Sequence, residues 1–180
     1  VLVSDNPMPA VHGRACYHPC ETSCNRKDLD EAVLIHAVER HLGDLAAENG
    51  WSVPAGPETG KRVLIVGAGP AGLACAWHLR LMGHAVEIRD TMAEPGGMLH
   101  YGIPAYRLPR EDLMKEVARI EAMGVTFRMN TRVDDLEGAM VEGGFDACFV
   151  AIGTQAGNHL DIPAADGRKM VDAIRLFEDV

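Results

Sequence analysis

The feature that most constrains this chain is an apolar run, Val63-Leu64-Ile65-Val66, that leads without a break into Gly67-Ala68-Gly69-Pro70-Ala71-Gly72. A short continuous apolar run suits a parallel strand covered on both faces. Each glycine of the turn does something a Cβ would obstruct. Gly67 turns tightly, Gly69 lets backbone approach a phosphate, and Gly72 lets the next helix pack hard on the strand. That helix offers free N–H groups and the positive end of its dipole to a pyrophosphate, so Pro70 and Ala71 join the three glycines as candidate contacts. Asp90 closes the following strand, within the spacing of about 20 residues that positions a carboxylate on a ribose.

The pattern continues in alternation. Ala71 to Met82 reads as a helix, Ala85 to Asp90 as a strand, Glu111 to Met123 as a helix and Val125 to Met129 as a strand. Phe145 to Ile152 supplies a further apolar strand around Cys148-Phe149-Val150-Ala151-Ile152. This order implies an α/β fold, a Rossmann-like, doubly wound parallel sheet. No internal repeat or low-complexity tract interrupts it.

A carboxylate at Asp90 accepts hydrogen bonds from a ribose and repels a 2′-phosphate, which points to FAD or NAD in this site rather than NADP. The stretch Glu94-Pro95-Gly96-Gly97-Met98-Leu99 favours FAD, because a second glycine pair lets backbone pass close to a flat, bulky ring. Arg89 alternates to the opposite strand face and reads equally as a solvated edge residue.

Upstream the chemistry changes. Cys16, Cys20 and Cys24 stand at four-residue spacing, an odd clustered set that fits a soft metal, as iron–sulfur or zinc, better than a disulfide framework. Residues 1–27 are rich in Pro, Cys, Asn and His without hydrophobic period, and they read as irregular loops that need a ligand to order them. Leu29, Val33, Leu34, Val38, Leu42 and Leu45 then follow helical spacing, which predicts a helix over about 31–48. The Pro- and Gly-rich stretch from Gly50 to Gly60 marks a linker. The expected organisation is a helical, Cys-rich iron–sulfur segment over 1–50, a linker over 51–60, and the first part of a dinucleotide-binding domain over 61–180. Cys75 and Cys148 lie in apolar segments and read as small buried hydrophobes.

A net charge of -9 on 180 residues argues against a general nucleic-acid footprint, which needs clustered Lys and Arg. No apolar run approaches the roughly 20 residues of a membrane span, and no secretory signal is legible. A reducing cytoplasm is the expected compartment. The start at Val1, and an amphipathic stretch from Val171 to Phe177 close to the end, suggest a fragment of a longer polypeptide.

Four segments in order, Gly13-Arg14-Ala15-Cys16-Tyr17-His18-Pro19-Cys20-Glu21-Thr22-Ser23-Cys24, Val33 to Glu39, Val66 to Leu73, and Pro95 to Pro104, resemble the small (beta) subunit of NADPH-dependent glutamate synthase and its relatives. The resemblance implies an electron-transfer flavoprotein in which hydride passes from NAD(P)H to FAD and single electrons leave through [4Fe-4S] clusters to a partner subunit or domain. It implies that Gly67, Gly69, Gly72 and Asp90 hold FAD, that Gly96, Gly97 and Met98 lie along the flavin, and that Gly153 sits near its pyrophosphate. Where the family commonly reads Ala-Thr-Gly, this chain reads Ala151-Ile152-Gly153, which keeps the glycine and drops the hydroxyl. The same resemblance makes Cys16, Cys20 and Glu39 ligands of one cluster and Cys24 a ligand of a second, the other cysteines lying upstream in the family. The nicotinamide site is implied to be in a domain absent from this chain, so the fragment alone is not expected to turn over NAD(P)H.

Three other readings remain open from the residues. A flavin disulfide reductase needs a Cys-x-x-Cys pair, and the spacing here is one residue longer. A zinc-stabilised docking module could use Cys16, Cys20, Cys24 and His12 as tetrahedral ligands, and His12 and His18 also lie close enough to serve as alternative cluster ligands. A binding-only NAD protein would share the glycine turn.

Overall fold

The computed structural model describes residues 2–154. Along the chain run α1 (Leu2–Asp5), α2 (Pro9–Ala15), α3 (Pro19–Thr22), a 3-10 turn (Asn25–Asp28), α4 (Ile35–Glu48), β1 (Arg62–Val66), α5 (Pro70–Leu81), β2 (Ala85–Arg89), α6 (Met98–Tyr101), α7 (Arg110–Glu121), β3 (Thr126–Arg128), α8 (Leu136–Gly143) and β4 (Ala147–Val150). The amphipathic stretch around 171–177 lies outside the described residues.

The four strands form one parallel sheet in the order β3-β2-β1-β4. β1 is central, and its side chains alternate between two cores. Ile65 enters the larger one with Leu73, Ala76 and Trp77 of α5 and Leu113, Val117 and Ile120 of α7. Leu64 enters a smaller one with Ala139 of α8 and Phe145. Both residues are fully buried, as the apolar run Val63–Val66 requires of a strand covered on both faces. The chain steps from β1 outward to β2 and β3, then returns to the other side of β1 as β4. That reversal creates a crevice at the carboxyl ends of β1 and β4, where open α/β sheets take ligands.

The sequence elements from 61 onward hold to within a few residues, and α8 is an addition. Its ends are marked: Asp135 caps the N-terminus by accepting from Gly138 N at 3.0 Å, and Gly144 leaves the C-terminus at φ 61. Its composition is too evenly apolar to show a helical stripe. β4 is the edge strand of the described sheet, and Phe149, Val150 and Ile152 are 41–53 % exposed rather than core.

The N-terminal segment departs most from its sequence reading. Residues 1–27 are not irregular: α1, α2, α3 and the 3-10 turn occupy much of them. Met8 and Val11 are fully buried in the same core as Ile65 and Trp77. A seven-residue helix is too short to display a period, and two large apolar side chains suffice to anchor it. α4 starts at Ile35, not 31, and Leu29, Val33, Leu34 and Val38 are 46–89 % exposed. The face of α4 that packs is instead small: a Cβ on Gly43 would overlap Ala10 N, and one on Gly13 would come 2.5 Å from Arg40 Cβ. α2 and α4 therefore cross with backbone against backbone.

Three buried ionisable residues, Arg80, Glu116 and Arg119, tie these pieces together. Arg80 donates from Nε to Met123 O at 2.8 Å, from Nη1 to His84 O at 2.7 Å and from Nη2 to Glu58 Oε1 at 2.9 Å, binding the 51–60 stretch to the ends of α5 and α7. The Arg80 guanidinium holds the Glu58 carboxyl below its usual range. Glu116 on α7 is 1 % exposed, accepts from Ala10 N at 2.9 Å and pairs with Arg119, which also donates to Pro7 O at 2.5 Å. Burial pushes the Glu116 carboxyl up to about 7.

Glu116→Ala leaves Arg119 and the Ala10 N–H without their buried partner, and the expected loss is about 3–5 kcal/mol in urea unfolding. Glu116→Gln should lose less. Because the folded pKa lies above the ordinary 4.5, the native state holds a proton that the unfolded chain has released. The stability this group adds is complete below the unfolded pKa and is lost as pH rises through about 7. The stability of wild type relative to Glu116→Gln should therefore decline with rising pH across that window, and a flat difference refutes the assignment.

Candidate functional site

The site is built where β1 ends. Gly67 has φ 112, a conformation that L side chains rarely adopt, and a Cβ there would overlap the Ala151 carbonyl oxygen just past β4. A Cβ on Gly72 would overlap Gly67 O. The turn is thus packed backbone to backbone, and Gly69 is left as the N-cap of α5 with no side chain bonded across it and Pro70 in the first turn. Uncapped N–H groups at the start of a twelve-residue helix are an anion site.

The second glycine pair arrives at this turn from α6. Gly96 N donates to Ala68 O at 2.8 Å, and a Cβ on Gly97 would come 2.8 Å from Gly69 Cα. Among the described residues an added Cβ on Gly69 would meet only Gly97 Cα, at 3.9 Å, and one on Gly153 would meet nothing within 4 Å. Two glycine turns that touch, with open space over Gly69 and Gly153, make a cradle whose walls are backbone. Met98 is half exposed at the start of α6. The residues present fit an extended dinucleotide with its diphosphate on Gly67–Gly72.

Asp90 follows β2 and is engaged by both oxygens. Oδ2 accepts from Ala68 N at 2.6 Å and Oδ1 from Met92 N at 2.8 Å. The carboxylate therefore braces the glycine turn, and its remaining lone pairs face a cleft of about 200 Å³ lined by Val66, Gly67, Arg89, Asp90, Thr131 and Ile152, among others. Arg89 is not a free edge residue: its Nε donates to Glu87 Oε1 at 2.8 Å and its guanidinium lies 5.6 Å from the centre of the Phe145 ring. The cleft extends the cradle away from Gly69 past Asp90, as an adenosine half requires.

The cysteines lie on a separate loop. Cys16 and Cys20 are exposed, Cys24 is half-buried, and all five cysteines of the chain are free thiols. Cys16 Sγ accepts from His18 N at 3.2 Å and Cys24 Sγ from Val33 N at 3.5 Å. Backbone N–H groups hold the Cys24 thiol below its ordinary pKa, that of Val33 contributing most. N–H donors aimed at sulfur are among the features that tune iron–sulfur centres. Glu39 points elsewhere, accepting from Asn6 Nδ2 at 3.1 Å. His12 is lowered by burial, opposed by the nearby Glu39 charge.

No three of Cys16, Cys20, Cys24 and His12 bring donor atoms within 4.8 Å of one another among the described residues. A single zinc ion would need that gathering. Cys75 and Cys148 are half-buried with thiols raised by burial, as packing residues are. The group that does gather, His18, Glu21 and His36, was not singled out as a set from sequence. No regular spacing connects the three.

Comparisons with known proteins match each part of this arrangement. Residues 65–117 match the family described as NAD(P)-binding Rossmann-like domain, and residues 1–51 match dihydropyrimidine dehydrogenase domain II, 4Fe-4S cluster. The NADPH-Fe(3+) oxidoreductase subunit beta of Geobacter sulfurreducens is 39 % identical over 171 residues, covering 92 % of this chain and 25 % of that protein. The glutamate synthase (NADPH) small chain of Bacillus subtilis is 37 % identical over 170 residues, covering 93 % and 34 %. That of Escherichia coli is 40 % identical over 154 residues, covering 83 % and 33 %. Over 83–93 % of its length the chain is similar to glutamate synthase small chains and a related oxidoreductase beta subunit. It spans a quarter to a third of the length of these relatives.

The brace at Asp90 is open to a direct test. Asp90→Ala removes the acceptor for two backbone N–H groups, with an expected loss of about 1–3 kcal/mol and faster hydrogen exchange at Ala68. Asp90→Asn should recover part of both through its amide oxygen. Unchanged exchange at Ala68 in the alanine variant would detach Asp90 from the turn.

Proposed function

We propose that this chain is the FAD- and iron–sulfur-binding portion of an NAD(P)H-dependent electron-transfer oxidoreductase. The observation that carries the reading is the backbone-walled cradle where the Gly67–Gly72 turn meets Gly96-Gly97 at the carboxyl ends of β1 and β4. In this reading Gly67, Gly69, Pro70, Ala71, Gly72 and Gly153 take the diphosphate, Asp90 takes the ribose, and Gly96, Gly97 and Met98 lie along the flavin. Cys16, Cys20, Cys24 and Glu39 are iron–sulfur ligands. Glu39 would exchange its hydrogen bond with Asn6 for iron.

The chain's own residues supply position and charge. The α5 N-terminus neutralises diphosphate, the glycines bring backbone to it without side-chain bulk, and the N–H groups of His18 and Val33 stabilise thiolate charge on Cys16 and Cys24. When bound, FAD supplies the exchange of a hydride for single electrons and a [4Fe-4S] cluster carries those electrons one at a time. No side chain needs to act as acid, base or nucleophile. The proposed organisation is an iron–sulfur segment over 1–50, a linker over 51–60 and part of the FAD domain over 61–180. NAD(P)H binds on a further domain, and electrons leave to a partner subunit or domain. Five free thiols support a reducing compartment such as the cytoplasm. No helix among the described residues is long and apolar enough to cross a membrane.

Anaerobically purified protein should be yellow-brown, release FAD on heating and contain iron and acid-labile sulfide. Gly97→Val, which drives a side chain against Gly69, should lose flavin and keep its iron. Cys16→Ser should do the reverse, weakening the reduced-cluster signal in electron paramagnetic resonance. Colourless wild-type protein, or a variant pair that loses both groups together, would overturn the two-site reading.

A further inference from the structure

We propose that His18, Glu21 and His36 form a divalent-metal site of the zinc class, distinct from the cysteine thiolates on the same loop. Their ligand atoms all lie within 4.8 Å of one another, the one such group among the described residues. His36 Nδ1 stands 2.6 Å from Glu21 Oε1, and His18 Nε2 stands 3.7 Å from Glu21 Oε2. The two imidazoles stack with centroids 4.2 Å apart and planes 21° from parallel. All three side chains are partly buried, at 42 %, 17 % and 26 % exposure in chain order. They are shielded enough to hold an ion and open enough to admit one.

Two further observations set this group apart from an ordinary surface cluster. His18 is one of two non-glycine residues with positive φ among the described residues, at φ 45 and ψ 50. That conformation costs roughly 1–2 kcal/mol, and such strain concentrates at functional sites. The His18 ring is held by stacking on His36 and by its Nε2 edge facing Glu21, while its shielded Nδ1 has no hydrogen-bond partner among the described residues.

The donor chemistry selects the ion. Two imidazoles and one carboxylate are borderline ligands suited to Zn²⁺, with a position left for water, whereas the neighbouring thiolates are soft. At zinc bond lengths tetrahedral donors stand about 3.3 Å apart. The close Glu21–His36 pair must open slightly and His18 must close on it. In the metal-free state a hydrogen bond joins His36 Nδ1 and Glu21 Oε1. On metal binding His36 ligates through Nδ1 as its Nε2–H tautomer and Glu21 through a carboxylate oxygen, so the ion takes the place of the hydrogen bond between them. The ion then staples α3, which carries Cys20, to the first turn of α4. This site does not depend on the flavin or cluster reading, because it uses none of their ligands.

The test uses the full chain, reconstituted anaerobically with iron and sulfide and then dialysed against buffered Zn²⁺, with iron, sulfide and zinc counted separately. One zinc per chain is expected. Losing a partner of a metal ligand costs about 10–100-fold in affinity, so losing a ligand costs at least that. His36→Ala and Glu21→Gln should therefore weaken zinc by at least about tenfold while iron and sulfide stay at wild-type content. Cys20→Ser should lower iron and keep the zinc. Co²⁺ in place of Zn²⁺ should give the visible bands of nitrogen and oxygen ligation. Absence of zinc from the wild type, zinc binding unchanged from wild type in the two variants, or intense thiolate-to-cobalt absorption would each overturn the proposal. Should His36→Ala lose its native circular dichroism, the near-isosteric Glu21→Gln decides between these results.

Discussion

Everything at the site rests on the steric contact of bare backbone at the end of β1. The carbonyls of Gly67 and Ala151 occupy space that a methyl group on Gly72 or Gly67 would need, and Gly97 lies on Gly69 where two side chains could not both fit. This compression brings α5 directly over the sheet and directs its uncapped N-terminus into the crevice between β1 and β4. Asp90 then holds the turn from the second strand through Ala68 N. The carboxylate proposed to meet a ribose is already part of the fold, bonded to Ala68 N and Met92 N.

A second backbone contact organises the N-terminal segment. α2 and α4 cross at Gly13 and Gly43, and α2 is fixed onto α7 by Met8, Val11 and the Glu116–Arg119 pair. The cysteine loop emerges from the end of α2 and returns at α4. Its geometry is therefore set by packing against the domain that carries the glycine turns. A buried ion pair contributes little net stability, but removing either partner is costly, which makes it a pin of position more than a source of binding energy.

The exposed apolar residues Leu29, Val33, Leu34 and Val38 illustrate the limit of periodicity as a signal. Their spacing is that of a helix face, and on that ground alone they read as core. In the structure Leu29, Val33 and Leu34 lie between the 3-10 turn and α4 and Val38 stands exposed on α4, while the face of α4 that packs is made of Gly43 and Ala46. Small residues that permit close crossing leave almost no hydrophobic trace in a sequence.

What the sequence determined by itself is the α/β order, the central strand and both glycine turns, because these depend on local rules: continuous apolarity for a doubly covered strand, and glycine wherever a Cβ would collide. The cysteine spacing likewise announced a soft-metal loop. Only the tertiary structure decided that Asp90 clamps Ala68, that the segment ahead of the cysteines is helical and shares the main core, and that His18 and His36 stack beside Glu21. Those facts depend on which residues, far apart along the chain, are brought together by helix crossings and strand order. A one-dimensional pattern carries no distance between them.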